Sequence, residues 1–73
     1  MFEAIVTRLR DGKTTKVTAS HRQALVDHLD ASAARHGFTV HEDYDESYLY
    51  GYTVGYIRKD GVSVATYEIG EIA

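Results

Sequence analysis

The 73 residues carry no cysteine, no proline and a formal net charge of −3, which excludes disulfides, thiolate zinc sites and cysteine nucleophiles. With 44% hydrophobic and 26% charged residues, the chain has the profile of one small folded domain spanning 1–73 rather than a disordered segment. No apolar run approaches a membrane span, and the amino terminus lacks a basic leader, so a cytoplasmic protein read as a complete small open reading frame is expected.

Residues 2–10 favour a strand and run into Asp11-Gly12, a dipeptide of tight hairpin turns. A second strand, 13–19, then alternates in a register that sets Ala4 and Val6 on the same face as Thr15 and Val17. Ser20-His21-Arg22-Gln23 has capping-box spacing, with the Ser20 hydroxyl and the Gln23 side chain serving as reciprocal caps. A helix is therefore expected over 20–36. Leu25, Val26, Leu29 and Ala33 form its apolar arc, Gly37 its left-handed stop and Phe38 the accompanying apolar contact.

A third strand is expected over 38–44, a longer one over 48–58, and a last one from Val62 to about Ile69 after the Asp60-Gly61 turn. The expected fold is α+β: an antiparallel sheet of four to five strands, order ββαβββ, with one helix packed on one face. A helix of about sixteen residues is ~24 Å long and covers one face of such a sheet. The other face is left for water, a second copy or a partner.

Tyr48, Tyr50, Tyr52 and Tyr56 stand at even spacing. In a strand they share a face. That face either packs beneath the alanine-rich helix (Ala24, Ala31, Ala33, Ala34) or is an exposed surface for protein contact or base stacking. Next to them lie Glu42, Asp43, Asp45 and Glu46 around Tyr44. Calcium-loop spacing is absent, so these carboxylates read as a solvated acidic loop or a patch that docks on a basic partner.

Charge is uneven. Residues 1–37 hold six Lys/Arg against four Asp/Glu, and residues 38–73 hold two against seven. Arg8, Arg10, Lys13 and Lys16 cluster around the first hairpin, where they could contact phosphates or simply solvate an edge. His21, His28, His36 and His41 lack zinc-protease spacing, and no nucleophile elbow or phosphate loop occurs. No cofactor or metal is expected.

Ala19-Ser20-x-x-x-Ala24 at the helix entry and the closing segment Tyr56-Ile57-Arg58-Lys59-Asp60-Gly61 give a layout that resembles small phage-encoded accessory and inhibitor proteins of the anti-CRISPR kind. The resemblance implies a non-catalytic inhibitor that occupies a surface of a host protein or nucleoprotein complex. It carries over no functional residue.

The expected function is a non-enzymatic protein-binding module. Glu42, Asp43, Tyr44, Asp45, Glu46, Tyr48, Tyr50 and Tyr52 would contact a host or cognate protein with a basic surface. The first alternative is a nucleic-acid binder using Arg8, Arg10, Lys13 and Lys16, and the second a small metal-dependent or acid/base enzyme built from His28, His41 and Glu42. Homodimerisation is compatible with each.

Overall fold

The first strand and its partner are joined by a loop rather than a two-residue turn. In the computed structural model, which describes residues 1–72, β1 (Phe2–Arg8) pairs antiparallel with β2 (Thr14–Ala19). Ala4 stands opposite Val17 and Val6 opposite Thr15, as the alternation predicts. Gly12 takes the positive φ that lets the loop return.

Helix α1 (Arg22–Arg35) follows. Leu25, Leu29 and Ala33 are buried on the sheet and Val26 packs beside them. The capping box does not form. His21 is the N-cap and no side chain caps the helix; the Gln23 side chain instead donates to Asp27 Oδ1 at 3.0 Å, one turn on. The carboxyl end matches expectation. Gly37 is left-handed, its N–H reaches Ala34 O and that of Phe38 reaches Ala33 O at 2.8 Å, the double bond of a Schellman stop.

The acidic and tyrosine-rich stretch departs from the expected strands. β3 is only Thr39–Glu42, a second helix α2 occupies Tyr44–Tyr50, and β4 begins at Thr53 and ends at Lys59. The even tyrosine spacing is a strand pattern that local chemistry overrides. The Asp43 carboxylate accepts from the Glu46 N–H at 3.0 Å, Asp45 and Glu46 lie in the first turn where the helix dipole favours them, and left-handed Gly51 closes the helix. The sequence does carry a signal for this helix, in Asp43-x-x-Glu46 followed by Gly51.

β5 (Val62–Glu71) returns through Asp60-Gly61, both at positive φ, a two-residue hairpin turn. The fold is α+β with a five-stranded antiparallel sheet, order β2-β1-β5-β4-β3. One face, bearing Ala4, Ile57, Ala65, Tyr67 and Ile69, lies under α1 and forms the core with Leu25 and Leu29. The opposite face, with Ile5, Val54, Tyr56, Thr66 and Glu68 in register across β1, β5 and β4, is left half-exposed.

Candidate functional site

Helix α2 buries none of its residues. It is held against the beginning of β4 by hydrogen bonds to backbone rather than by apolar packing. The Ser47 hydroxyl accepts from Val54 N at 3.0 Å and donates to Val54 O at 3.3 Å, while Asp43 N donates to the same carbonyl at 2.9 Å. With Ser47 turned to the sheet, the 3.6-residue period turns Asp45, Tyr48 and Leu49 outward. Tyr48 is 91% exposed, Tyr44 76% and Leu49 75%. Tyr50 and Tyr52 are also exposed and stack on each other, with ring centroids 5.6 Å apart. A seven-residue helix carrying this much exposed ring and aliphatic surface is unusual for a chain with so few core residues, and such surface marks contact sites.

The acidic residues flank that surface. Asp45 and Glu46 are exposed on α2 itself. Asp43 is structural. Besides capping α2, its second carboxylate oxygen accepts from the Tyr56 hydroxyl at 3.3 Å. The Glu46 and Asp43 charges raise the pKa of Tyr56. Glu42 belongs to β3 and pairs with Gly55 on the helix-covered face. The expected acidic loop is thus the end of a strand and the first turn of a helix.

The expected tyrosine face breaks up. Tyr44, Tyr48 and Tyr50 are helical, Tyr52 lies in the link to β4, and only Tyr56 is in a strand, on the face α1 leaves open. None of them lies under α1. The tyrosine buried there is Tyr67, 6% exposed, with its pKa pushed up to about 12 by burial and, secondarily, by the Glu42 and Asp30 charges. The even-spaced set draws attention away from it, although Ala65, Tyr67 and Ile69 alternate as an inward-facing row that strand periodicity could have found.

The alternative constellations are not assembled. His41 and Glu42 are neighbours in β3 and therefore point to opposite faces, and His28 is exposed on α1. His41 Nε2 lies 2.9 Å from the Thr39 hydroxyl. Among the described residues no group of three or more His, Asp or Glu is placed to hold a metal ion, and no helix is long and apolar enough to cross a membrane. In the first hairpin, Arg8 is clamped to Asp11 by two side-chain hydrogen bonds, 3.0 and 2.5 Å. Lys16 pairs with Ile5 on the open face while Arg8 pairs with Ala65 on the covered one, so the four cations form no single stripe.

The strand ladders give the molecule two poles. Arg8, Arg10, Lys13, Arg35, Arg58 and Lys59, six of the eight Lys/Arg, lie at the end formed by the β1–β2 loop, the β4–β5 turn and the carboxyl end of α1. Glu3, Glu42, Asp43, Asp45, Glu46 and Glu71 lie at the other end, with α2. The uneven charge along the sequence has become a charge dipole along the strands.

Among known proteins, the family model described as Mycobacterium phage Gp84-like protein matches residues 1–72. The Gene 84 protein of Mycobacterium phage L5 is 42% identical over 72 residues, covering 99% of this chain and 100% of the relative. That of Mycobacterium phage D29 is 53% identical over 57 residues, 75% of this chain and 89% of the relative. No solved structure matches.

Proposed function

The chain belongs to the Mycobacterium phage Gp84-like family, and from that premise we propose that it is a phage protein-binding module whose contact element is α2. The observation that carries this reading is the exposure of Tyr48 and Leu49 beside Asp45 and Glu46 at the acidic pole. The phenol and the leucyl side chain supply area to be desolvated, the usual source of hot-spot energy. The carboxylates steer the pole toward a basic partner surface and fix the approach. In this reading the protein performs no catalysis. It acts by occupying a surface, with a host protein or nucleoprotein complex as target, as an inhibitor of the anti-CRISPR kind would.

The experiment is affinity capture from mycobacterial lysate with the native chain and two variants. Tyr48→Ala with Leu49→Ala removes the apolar contact, and Asp45→Asn with Glu46→Gln removes the charge. None of these side chains is buried, so circular dichroism and melting should match the native chain while the captured species falls to background for the first variant and is captured more weakly and with less salt dependence for the second. Capture equal to the native chain by the first variant overturns the reading. Asp43 is left intact, because it caps the helix.

A further inference from the structure

The alanines of α1 leave a space that this chain does not fill with its own side chains. Ala33 of α1 and Ala65 of β5 both line it with side chains of one carbon, and the β4–β5 ladder shifts register beside it at Ile57/Arg58. The result is an open groove of about 440 Å³ at the basic pole. Val6, Val17, Leu29, Phe38 and Val64 line it, and Lys13, His28 and His36 stand at its rim. Arg8 is also at the rim, with its charge taken up by Asp11. Lys13 makes no ion pair among the described residues. The groove is thus apolar inside, with the Lys13 cation at its rim, and of a size that ordinarily encloses a ligand, ~300–1,000 Å³.

At the opposite end of the molecule, α2 presents the complement: exposed Tyr48 and Leu49 beside Asp45 and Glu46. We propose that the groove at the basic pole receives α2 of a second copy of this chain. The inference rests on the reading of α2 as a contact element and gives that helix a second partner, so that self-contact and the host target compete for it. Charge complementarity selects this occupant, since an acidic helix bearing an aromatic and an aliphatic side chain matches both the rim and the lining. Two surfaces that are each unexplained in the single chain are satisfied by one contact. Because groove and helix lie at opposite ends of the strands, the contact is head-to-tail, and it either propagates into a chain of copies or closes into a ring.

The test uses sedimentation velocity and light scattering on the full chain from micromolar to near-millimolar concentration. The native protein should gain mass with concentration and lose that gain in high salt. Two variants each disable one half of the contact at exposed positions: Tyr48→Ser with Leu49→Ser on the helix, and Lys13→Glu with Thr15→Glu at the groove. Each alone should remain monomeric while keeping the native circular dichroism spectrum. Mixed, they should form a species of twice the 8.2 kDa chain mass and nothing larger, because one intact helix meets one intact groove.

A native chain that stays monomeric throughout overturns the proposal, as do variants that associate like the native chain or a mixture that stays monomeric. If the native chain is monomeric yet the Tyr48/Leu49 variant loses its captured partner, α2 remains the contact element and only the self-contact falls. If neither association nor capture responds to that variant, both readings fall together. Association abolished by nuclease would assign the basic pole to nucleic acid and overturn the self-contact.

Discussion

Gly55 and Tyr67 are paired across β4 and β5, and the phenol ring of Tyr67 occupies the place where a side chain at residue 55 would stand. A Cβ added there would lie 2.7 Å from both Cε1 and the hydroxyl oxygen of Tyr67 and would also press on the backbone carbonyl of His41. This glycine is required by close approach rather than by a positive φ. Gly55→Ala should cost about 1–3 kcal/mol, the usual penalty of overpacking a filled core. In a domain this small each kcal/mol lowers the melting temperature by roughly 4–8 °C. Adding Tyr67→Phe should recover little, because Cε1 and the His41 carbonyl remain. A thermal melt that is unchanged by Gly55→Ala would show that the Tyr67 ring and the His41 carbonyl both give way freely.

The same phenol predicts an alkaline limit to stability. Burial first, and the Glu42 and Asp30 charges second, raise the Tyr67 pKa to about 12 from its ordinary 10.0. The folded chain therefore holds the phenolic proton more tightly than the unfolded chain does. Stability from this group is complete below pH ~10 and is lost as pH rises through ~12, because the unfolded state ionises first. With one unit worth ~1.4 kcal/mol, the loss has an upper bound of about 2–3 kcal/mol, and solvent screening of the charges brings it below that. Urea unfolding followed from pH 9 to 12 should show this decline, and Tyr67→Phe should flatten most of it. A Tyr67→Phe slope identical to the native one would refute the assignment.

Asp43 separates the integrity of α2 from its charge. Asp43→Asn keeps a side-chain oxygen to accept from Glu46 N, whereas Asp43→Ala leaves that N–H without its cap. The alanine variant should lose about 0.5–2 kcal/mol of stability and fray α2, and with it partner capture; the asparagine variant should retain most of both. Asp43→Asn should also lower the Tyr56 pKa, since Asp43 is one of the two carboxylates that raise it. Amide exchange of residues 44–50 and a spectrophotometric tyrosine titration measure the two effects.

What could be read from the sequence follows the range of the interactions involved. The β1–β2 register, the Leu25-Leu29-Ala33 face and the Gly37 stop are set by alternation, helical period and one glycine, all local. The helix start is less legible: Ser20 offers a good cap by type, yet the chain turns one residue later, at His21. Between Tyr44 and Tyr52 two local codes conflict. Even spacing of tyrosines signals a strand, Asp43-x-x-Glu46 with Gly51 signals a helix, and the tertiary bonds of Ser47 and Asp43 to Val54 favour the helix. The candidate residues at the acidic pole could be named because acids and tyrosines are conspicuous by composition. The groove could not. It depends on small residues of a helix and a strand, Ala33 and Ala65, lining the same space, and on a register shift that no dipeptide announces.

Acid should act on the basic pole through one ion pair. The Asp11 carboxyl is held at about 2, below its ordinary 3.8, chiefly by the hydrogen bonds it accepts from the Arg8 guanidinium and next by the one from the Lys13 N–H. A carboxylate whose folded pKa is depressed contributes stability above pH ~4 and loses it as pH falls through ~2. The pair is exposed, so the global effect is small, and the reporter should be local. Carbon-detected titration of the Asp11 carboxyl should give a midpoint near 2 in the native chain. Arg8→Gln should bring it back toward the ordinary value, leaving the Lys13 backbone bond and the Arg10 charge to depress it. The same substitution frees a carboxylate at the groove rim without touching α2. If the rim attracts the acidic helix of a second copy, Arg8→Gln should weaken head-to-tail association at neutral pH, and adding Asp11→Asn to it should partly restore association.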